Sequence, residues 1–251
     1  TLVFQILLDN QFYLKQSKCS FGQHKIDYLG HTVSSKGVEP DPAKVQAVKD
    51  WPQPSTVKEL RAFLGLSGYY RKFIKNYASI VGPLTDMLQK DQFSWSTEAT
   101  KSFEQLKSTL CEAPILKLPD FSQPFTIETD ASGVGIGAVL LQKNLPIAYF
   151  SKKLPIHLRK ASAYVRELYA IVEAVRKWRQ YLLGVHFSIK TDHCSLKEIL
   201  TQTIQTPEQH KYLSKLMGYS YSISYKSGQE NVVADSPSRQ LDEQGQYLAF
   251  S

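Results

Sequence analysis

Two six-residue stretches, FTIETD at 125–130 and FSIKTD at 187–192, constrain the architecture of this chain more than any other feature. In each, apolar and polar residues alternate with the period of a half-buried strand. Each closes on Thr-Asp, with the aspartate in the opposite phase to the Phe and Ile that should face a core. A single Asp at a strand end is an ordinary surface residue. If the two strands are neighbours, however, Asp130 and Asp192 occupy corresponding ends on one face of one sheet. After Asp130, Gly133, Gly135 and Gly137 recur at alternate positions and AVLLQ reads as a second strand. The first stretch is therefore one arm of a glycine-loosened hairpin.

The flanking segments fill out a mixed α/β sheet covered by helices. IAYFSKKL is a third strand, AYVRELYAIVEAVRKWRQYLLG a long amphipathic helix ended by Gly184, and YSISYKSG the last strand. SLKEILTQ and QHKYLSKLMGY read as short helices, and NVVADSPSR begins a closing helix. Upstream, a short helix (TLVFQILLDN) leads into the strand-like KCSFGQHKIDYLGHTVSSKGVEP, with Gly30 and Gly37 as turn residues. Past DWPQP the chain becomes helical. Thr56 with Glu59 forms a capping box, YYRKFIKNYASIV reads as a helix basic on one side, and Ser96 to Glu112 as a third helix with Phe103, Leu106 and Leu110 on one face.

Composition narrows the setting. A formal net charge of +7 over 251 residues, spread without a basic tail, fits a folded face that meets phosphates. Three widely spaced cysteines form no CxxC pair, which argues against a disulfide scaffold or a zinc site and fits a reducing compartment. No apolar run reaches the roughly 18 residues of a membrane span. The chain starts abruptly inside a helical pattern, as a piece of a longer protein would.

Two further acids join the aspartates. The long helix has an apolar stripe through Tyr164, Leu168, Ile171, Val175 and Trp178, and Glu167 lies in that stripe. A carboxylate there is costly unless it is paired, with Arg166 or Lys177 for example, or holds a cation. Asp235, at the entrance to the closing helix, is either a helix-starting acid or a fourth member of the group. Four acids in one place become reasonable if divalent cations lie between them. Mg²⁺ takes oxygen ligands from a few carboxylates, water and phosphate, and two such ions suit in-line phosphoryl displacement. The small residues after Asp130 would then leave room for a phosphate backbone.

In order and spacing, TDASGVGIGAVLLQ, YVRELYAIVEAVRKWRQYL, FSIKTDHCSL and GQENVVADSPSR closely resemble the ribonuclease H domain of Ty3/gypsy-type retrotransposon reverse transcriptases. KCSFGQHKIDYLGHTVSSKGV and ELRAFLGLSGYYRKFI resemble the end of that enzyme's palm and its thumb, and FSWSTEATKSFEQLKSTLCEAPIL the stretch leading into the ribonuclease H domain. The resemblance implies an α/β fold: a ribonuclease H-like mixed five-stranded sheet with flanking helices, preceded by a helical thumb-like segment and the end of a palm subdomain. The implied boundaries are 1–54 for the palm end, 55–118 for the thumb and linker, 119–240 for the ribonuclease H domain and 241–251 for a polar tail. Asp130, Glu167, Asp192 and Asp235 match the family's metal-binding carboxylates, which hydrolyse the RNA strand of an RNA–DNA hybrid with two Mg²⁺ ions, Mn²⁺ being able to substitute. Leu29, Gly30 and His31 match the hairpin that grips the primer terminus. The segment bearing Tyr69, Tyr70, Arg71 and Lys75 matches the thumb, which contacts the duplex backbone. Ser132 and Gly133 would face nucleic acid beside the metals. The implied partners are the hybrid, a primer–template duplex, the upstream fingers and palm and a second copy of the chain. The implied location is intracellular, in a cytoplasmic virus-like particle or the nucleus, with no membrane contact.

The departures also matter. The pair of adjacent aspartates of the polymerase site is absent, so no DNA synthesis is expected from this chain alone. YKSGQEN lacks the histidine that cellular ribonucleases H carry before the last acid. Asp235 precedes Ser-Pro where the family usually reads Ala-Leu. Pro237 is tolerable in a first helical turn but biases Ser236 away from helical angles. These departures define an alternative reading, a remnant that binds nucleic acid or a subunit without cutting.

Overall fold

The computed structural model describes residues 2–15, 17, 19–89, 93–196 and 206–226. The chain opens with helix α1 (Leu2–Asp9), followed by an antiparallel three-stranded sheet of β1 (Lys25–Tyr28), β2 (His31–Ser34) and β3 (Gly37–Pro40). The β1–β2 turn is made by Leu29 at φ 47° and Gly30 at φ 69°. This left-handed pair matches the twist of a two-residue hairpin.

A helical layer follows: α2 (Pro42–Lys49), α3 (Val57–Tyr69), α4 (Tyr77–Ile80), α5 (Gly82–Met87) and α6 (Thr97–Cys111). Leu60, Phe63, Phe103, Leu106 and Leu110, apolar at helical spacing, close around one core with Phe73, Ile74 and Leu84. Asp41, Thr56 and Ser96 cap α2, α3 and α6 with their side-chain oxygens. The expected capping box is shifted: Thr56 accepts from the Glu59 N–H, but the Glu59 carboxylate reaches back to the N–H and hydroxyl of Ser55.

The expected helix through YYRKFIKNYASIV is broken. After α3 a 3₁₀ turn (Arg71–Phe73) leads to Ile74 in extended conformation and Asn76 at φ 58°, and only then does α4 begin. The break lets the adjacent Phe73 and Ile74 both be buried. Asn76 is among the residue types that tolerate the left-handed region.

The second sheet has the order β6-β5-β4-β7-β8, formed by β4 (Phe125–Ala131), β5 (Gly135–Gln142), β6 (Leu145–Lys153), β7 (His186–Thr191) and β8 (Ser220–Tyr225). β5 is antiparallel to both its neighbours, β4 and β6, whereas β4–β7 and β7–β8 are parallel. Helix α7 (Ala163–Lys177) packs across β4 and β5. Its Leu168, Ile171 and Val175 meet Phe125, Ile127, Phe187 and Ile189 in the core. The long helix expected here ends sooner: α7 stops at Trp178, whose buried indole packs edge-on to Phe150, and α8 (Arg179–Leu182) is a separate turn before Gly184. α9 (Pro207–Leu213) has a full capping box at Thr206 and Gln209. Most of SLKEILTQ, the closing helix with Asp235, Ser236 and Pro237, and the tail lie outside the described residues.

The two units are joined directly. Lys117 N donates to the Pro146 carbonyl of β6 at 2.8 Å, Ser151 Oγ of β6 accepts from Ala78 N at 2.8 Å, and Lys153 pairs with Asp86 at 2.9 Å; within the first unit, Val38 and Leu116 exchange both backbone hydrogen bonds at 2.8 Å. Among the described residues no helix is long and apolar enough to cross a membrane.

Candidate functional site

The parallel register pairs Phe125 with Phe187, Ile127 with Ile189 and Glu128 with Lys190. Carried two residues on, it aligns Asp130 with Asp192, as their shared phase requires. Glu167 comes to the same place from the first turns of α7. Oxygens of Asp130, Glu167 and Asp192 lie within 4.8 Å of one another, so the three could hold a metal ion. Asp130 and Glu167 are each 3% exposed, while Asp192 is half-buried.

Glu167 is fixed at both oxygens. Oε1 accepts from the backbone N–H of Ala131 at 2.7 Å, and Oε2 faces the Thr191 hydroxyl at 3.4 Å. Among the described residues no ion pair joins it to Arg166 or Lys177, which removes the pairing that would make its burial routine. Burial, followed by the charges of Asp192 and Asp130, pushes its pKa well above the usual carboxylate range. An oxygen-only donor set with unfavourable like charges suits a hard divalent cation, which would relieve the repulsion.

The turn after Asp130 is built by serine. Ser132 Oγ accepts from the N–H groups of Val134 and Gly135 and donates to the Gly135 carbonyl. Ser132 is buried with its hydroxyl engaged in this turn, whereas Gly133 is exposed. A Cβ on Gly133 would come within 3.3 Å of an Arg166 guanidinium nitrogen.

The other expected residues form a separate group. Tyr69 and Tyr70 donate their hydroxyls to the carbonyls of Leu29 and Gly30, the latter at 2.8 Å. His31 hydrogen-bonds the Leu29 carbonyl through Nδ1 at 2.8 Å, and its ring lies 5.3–5.6 Å from those of Tyr69, Tyr70 and Phe73. Burial, then the nearby Lys72 charge, lowers the His31 pKa. Tyr70 is a core residue at 1% exposure, its pKa raised to about 12 by burial first. Arg71 is exposed and Lys75 half-buried on the segment that follows.

One feature escapes a reading of the sequence. Glu128, two residues before Asp130 on the same strand face, is 2% exposed and lies between Lys226 at 2.9 Å and Lys190 at 3.6 Å. Its alternation with apolar neighbours reads as a solvated strand position. Only its shared phase with Asp130 hints otherwise.

Comparison with known proteins bears on the domain and the fold. Residues 95–189 match the family described as the RNase H-like domain found in reverse transcriptase. The chain is 42% identical over 240 residues to the retrovirus-related Pol polyprotein from transposon 297 of Drosophila melanogaster, covering 95% of this chain and 23% of that polyprotein. It is 37% identical over 252 residues to the Pol polyprotein from transposon gypsy of the same organism, covering 95% and 24%. Among solved structures, the foamy viral protease-reverse transcriptase in complex with RNA/DNA hybrid superposes with a TM-score of 0.80 at 21% identity, covering 99% of this chain and 35% of that one; at that identity the likeness is one of fold. The chain thus spans about a quarter of the length of the curated relatives it matches. Residues 95–189 thus match the RNase H-like domain found in reverse transcriptase, and nearly the whole chain is similar to a stretch of the Pol polyproteins of gypsy-type retrotransposons.

Proposed function

We propose that this chain is the ribonuclease H part, with the adjoining thumb and palm end, of a retrotransposon reverse transcriptase, and that it hydrolyses the RNA strand of an RNA–DNA hybrid. The observation that carries this reading is the convergence of Asp130, Glu167 and Asp192 from β4, α7 and the end of β7. These three would hold the divalent cations, Mg²⁺ or Mn²⁺, with Asp235 as a fourth ligand from outside the described residues. When bound, such ions activate a water and steady the leaving oxygen.

The chain's own residues supply the rest. The Ala131 N–H and Thr191 hydroxyl orient Glu167, and the turn held by Ser132 keeps bulk away from the approach to Asp130. Discrimination of RNA from DNA rests on contacts to 2′-hydroxyls. The Leu29–Gly30 turn would meet the primer terminus, and Arg71 and Lys75 would position phosphates without reading bases. The division at 1–54, 55–118 and 119–240 belongs to this reading. So do partnership with the upstream fingers and palm, a homodimer, and residence in an intracellular particle or the nucleus.

The test incubates the purified chain with a labelled hybrid in Mg²⁺ or EDTA, beside the Asp130→Asn variant. Metal-dependent loss of the RNA strand that vanishes in the variant is the expected result. Tight hybrid binding by a folded chain that never cuts would overturn the enzymatic reading and leave a binding remnant.

A further inference from the structure

A cavity of about 340 Å³ lies where the end of α3 meets β6, the edge strand of the second sheet. Its floor is Tyr149, Phe150 and Ser151 of β6, and its walls carry Arg71, Lys72 and Lys177. The cations come from two distant stretches: the 3₁₀ turn after α3 and the last turn of α7. Among the described residues no carboxylate lines the cavity and no ion pair engages any of the three. Lys72 is the telling member. It is half-buried, its ammonium lies 5.1 Å from the Phe73 ring centroid, and burial alone holds its pKa below the ordinary lysine value. A cation drawn out of water without a counter-charge is costly, and an anion in the cavity would offset that cost.

The location suggests which anion. Tyr69 lines the cavity and also donates its hydroxyl to Leu29 of the β1–β2 turn, so cavity and turn adjoin. In the sheet, Asp130 pairs with Gly137 and Gly137 with Ser151, so the cavity floor is two strands from the acids, about 10 Å at ordinary strand spacing. Phosphates recur about every 3.4 Å of axis along each strand of a duplex. A duplex seated over Asp130 therefore has phosphates within range of this edge.

We propose that Arg71, Lys72 and Lys177 form a phosphate site that holds one backbone phosphate of the bound duplex and so ties the helical layer to the nuclease sheet. This rests on the nucleic-acid reading above but assigns Lys72 and Lys177, from both units, to a single contact.

The test measures binding of a labelled RNA–DNA hybrid by fluorescence anisotropy across salt concentrations, for wild type, Lys72→Met and Lys177→Met. Thermal melts confirm that the variants are folded, and the exposed Lys177 keeps the test valid if Lys72→Met is unstable. Each variant should bind about three- to tenfold more weakly near 0.1 M salt and lower the slope of log affinity against log salt by about 1. Wild-type affinity and slope in a folded Lys177→Met would overturn the proposal. So would a site that only inorganic pyrophosphate fills, seen as a rise in melting temperature lost in Lys177→Met while hybrid binding is unaltered. Hybrid cleavage by the wild type is scored separately: cutting with unchanged variant slopes sinks the phosphate site alone, and reduced slopes without cutting sink the hydrolytic reading alone.

Discussion

Replacing Asp130 with Asn should stabilise the metal-free protein while abolishing its response to metal. In the acid cluster, oxygens of three carboxylates lie within 4.8 Å. Two unit charges at that distance repel by about 3 kcal/mol at an effective dielectric constant near 20. Burial and the charges of Asp192 and Asp130 push the Glu167 pKa well up, so removing the Asp130 charge relieves part of the repulsion in the cluster. Asn keeps the shape and an acceptor oxygen but removes one charge, so the gain in EDTA should be about 1–3 kcal/mol. For a domain of this size that raises the melting temperature by about 3–9 °C. Mg²⁺ at tenfold its dissociation constant should add about 1.4 kcal/mol to the wild type and nothing comparable to the variant. Differential scanning calorimetry in EDTA and along a Mg²⁺ titration reads both effects. A variant that melts lower than wild type in EDTA, and gains as much from Mg²⁺, would refute the idea that these carboxylates form a strained cation site.

Three other perturbations follow from the packing. Gly37→Ala should destabilise by at least about 2 kcal/mol in urea unfolding, because at φ 141° an added Cβ would lie 2.1 Å from the Leu116 carbonyl oxygen. Lys226→Met should cost about 2–3 kcal/mol by the same measurement, since it strips the nearer partner from the buried Glu128, and Glu128→Gln in the same chain should restore part of the loss. Because the His31 pKa is depressed in the folded state, its stabilising effect is complete above the ordinary value near 6.5 and is lost as pH falls through the folded value. Urea midpoints should therefore fall between pH 7.5 and pH 5, and His31→Phe should flatten that drop.

The sheet was legible because its information is local. FTIETD and FSIKTD each carry a strand period and a phase mark, and the phase mark alone aligned Asp130 with Asp192. Glu167 could be singled out because a helix stripe shows an intruding charge at once. The break at residues 70–76 could not be seen, since it depends on burying Phe73 and Ile74 together and on Tyr70 reaching a carbonyl 40 residues away. Glu128 stayed hidden for a similar reason: its Lys226 partner is 98 residues along the chain, and only folding brings them together. Asp235, proposed as a fourth acid, lies outside the described residues.

The reciprocal hydrogen bonds between Val38 and Leu116 staple together the two ends of the helical layer. The layer also meets β6 through the hydrogen bond from Ala78 to Ser151 and the ion pair of Asp86 with Lys153. The Tyr69 and Tyr70 hydroxyls tie the Leu29–Gly30 turn to the end of α3, so turn, helices and nuclease sheet are joined by one continuous run of packed elements and hydrogen bonds.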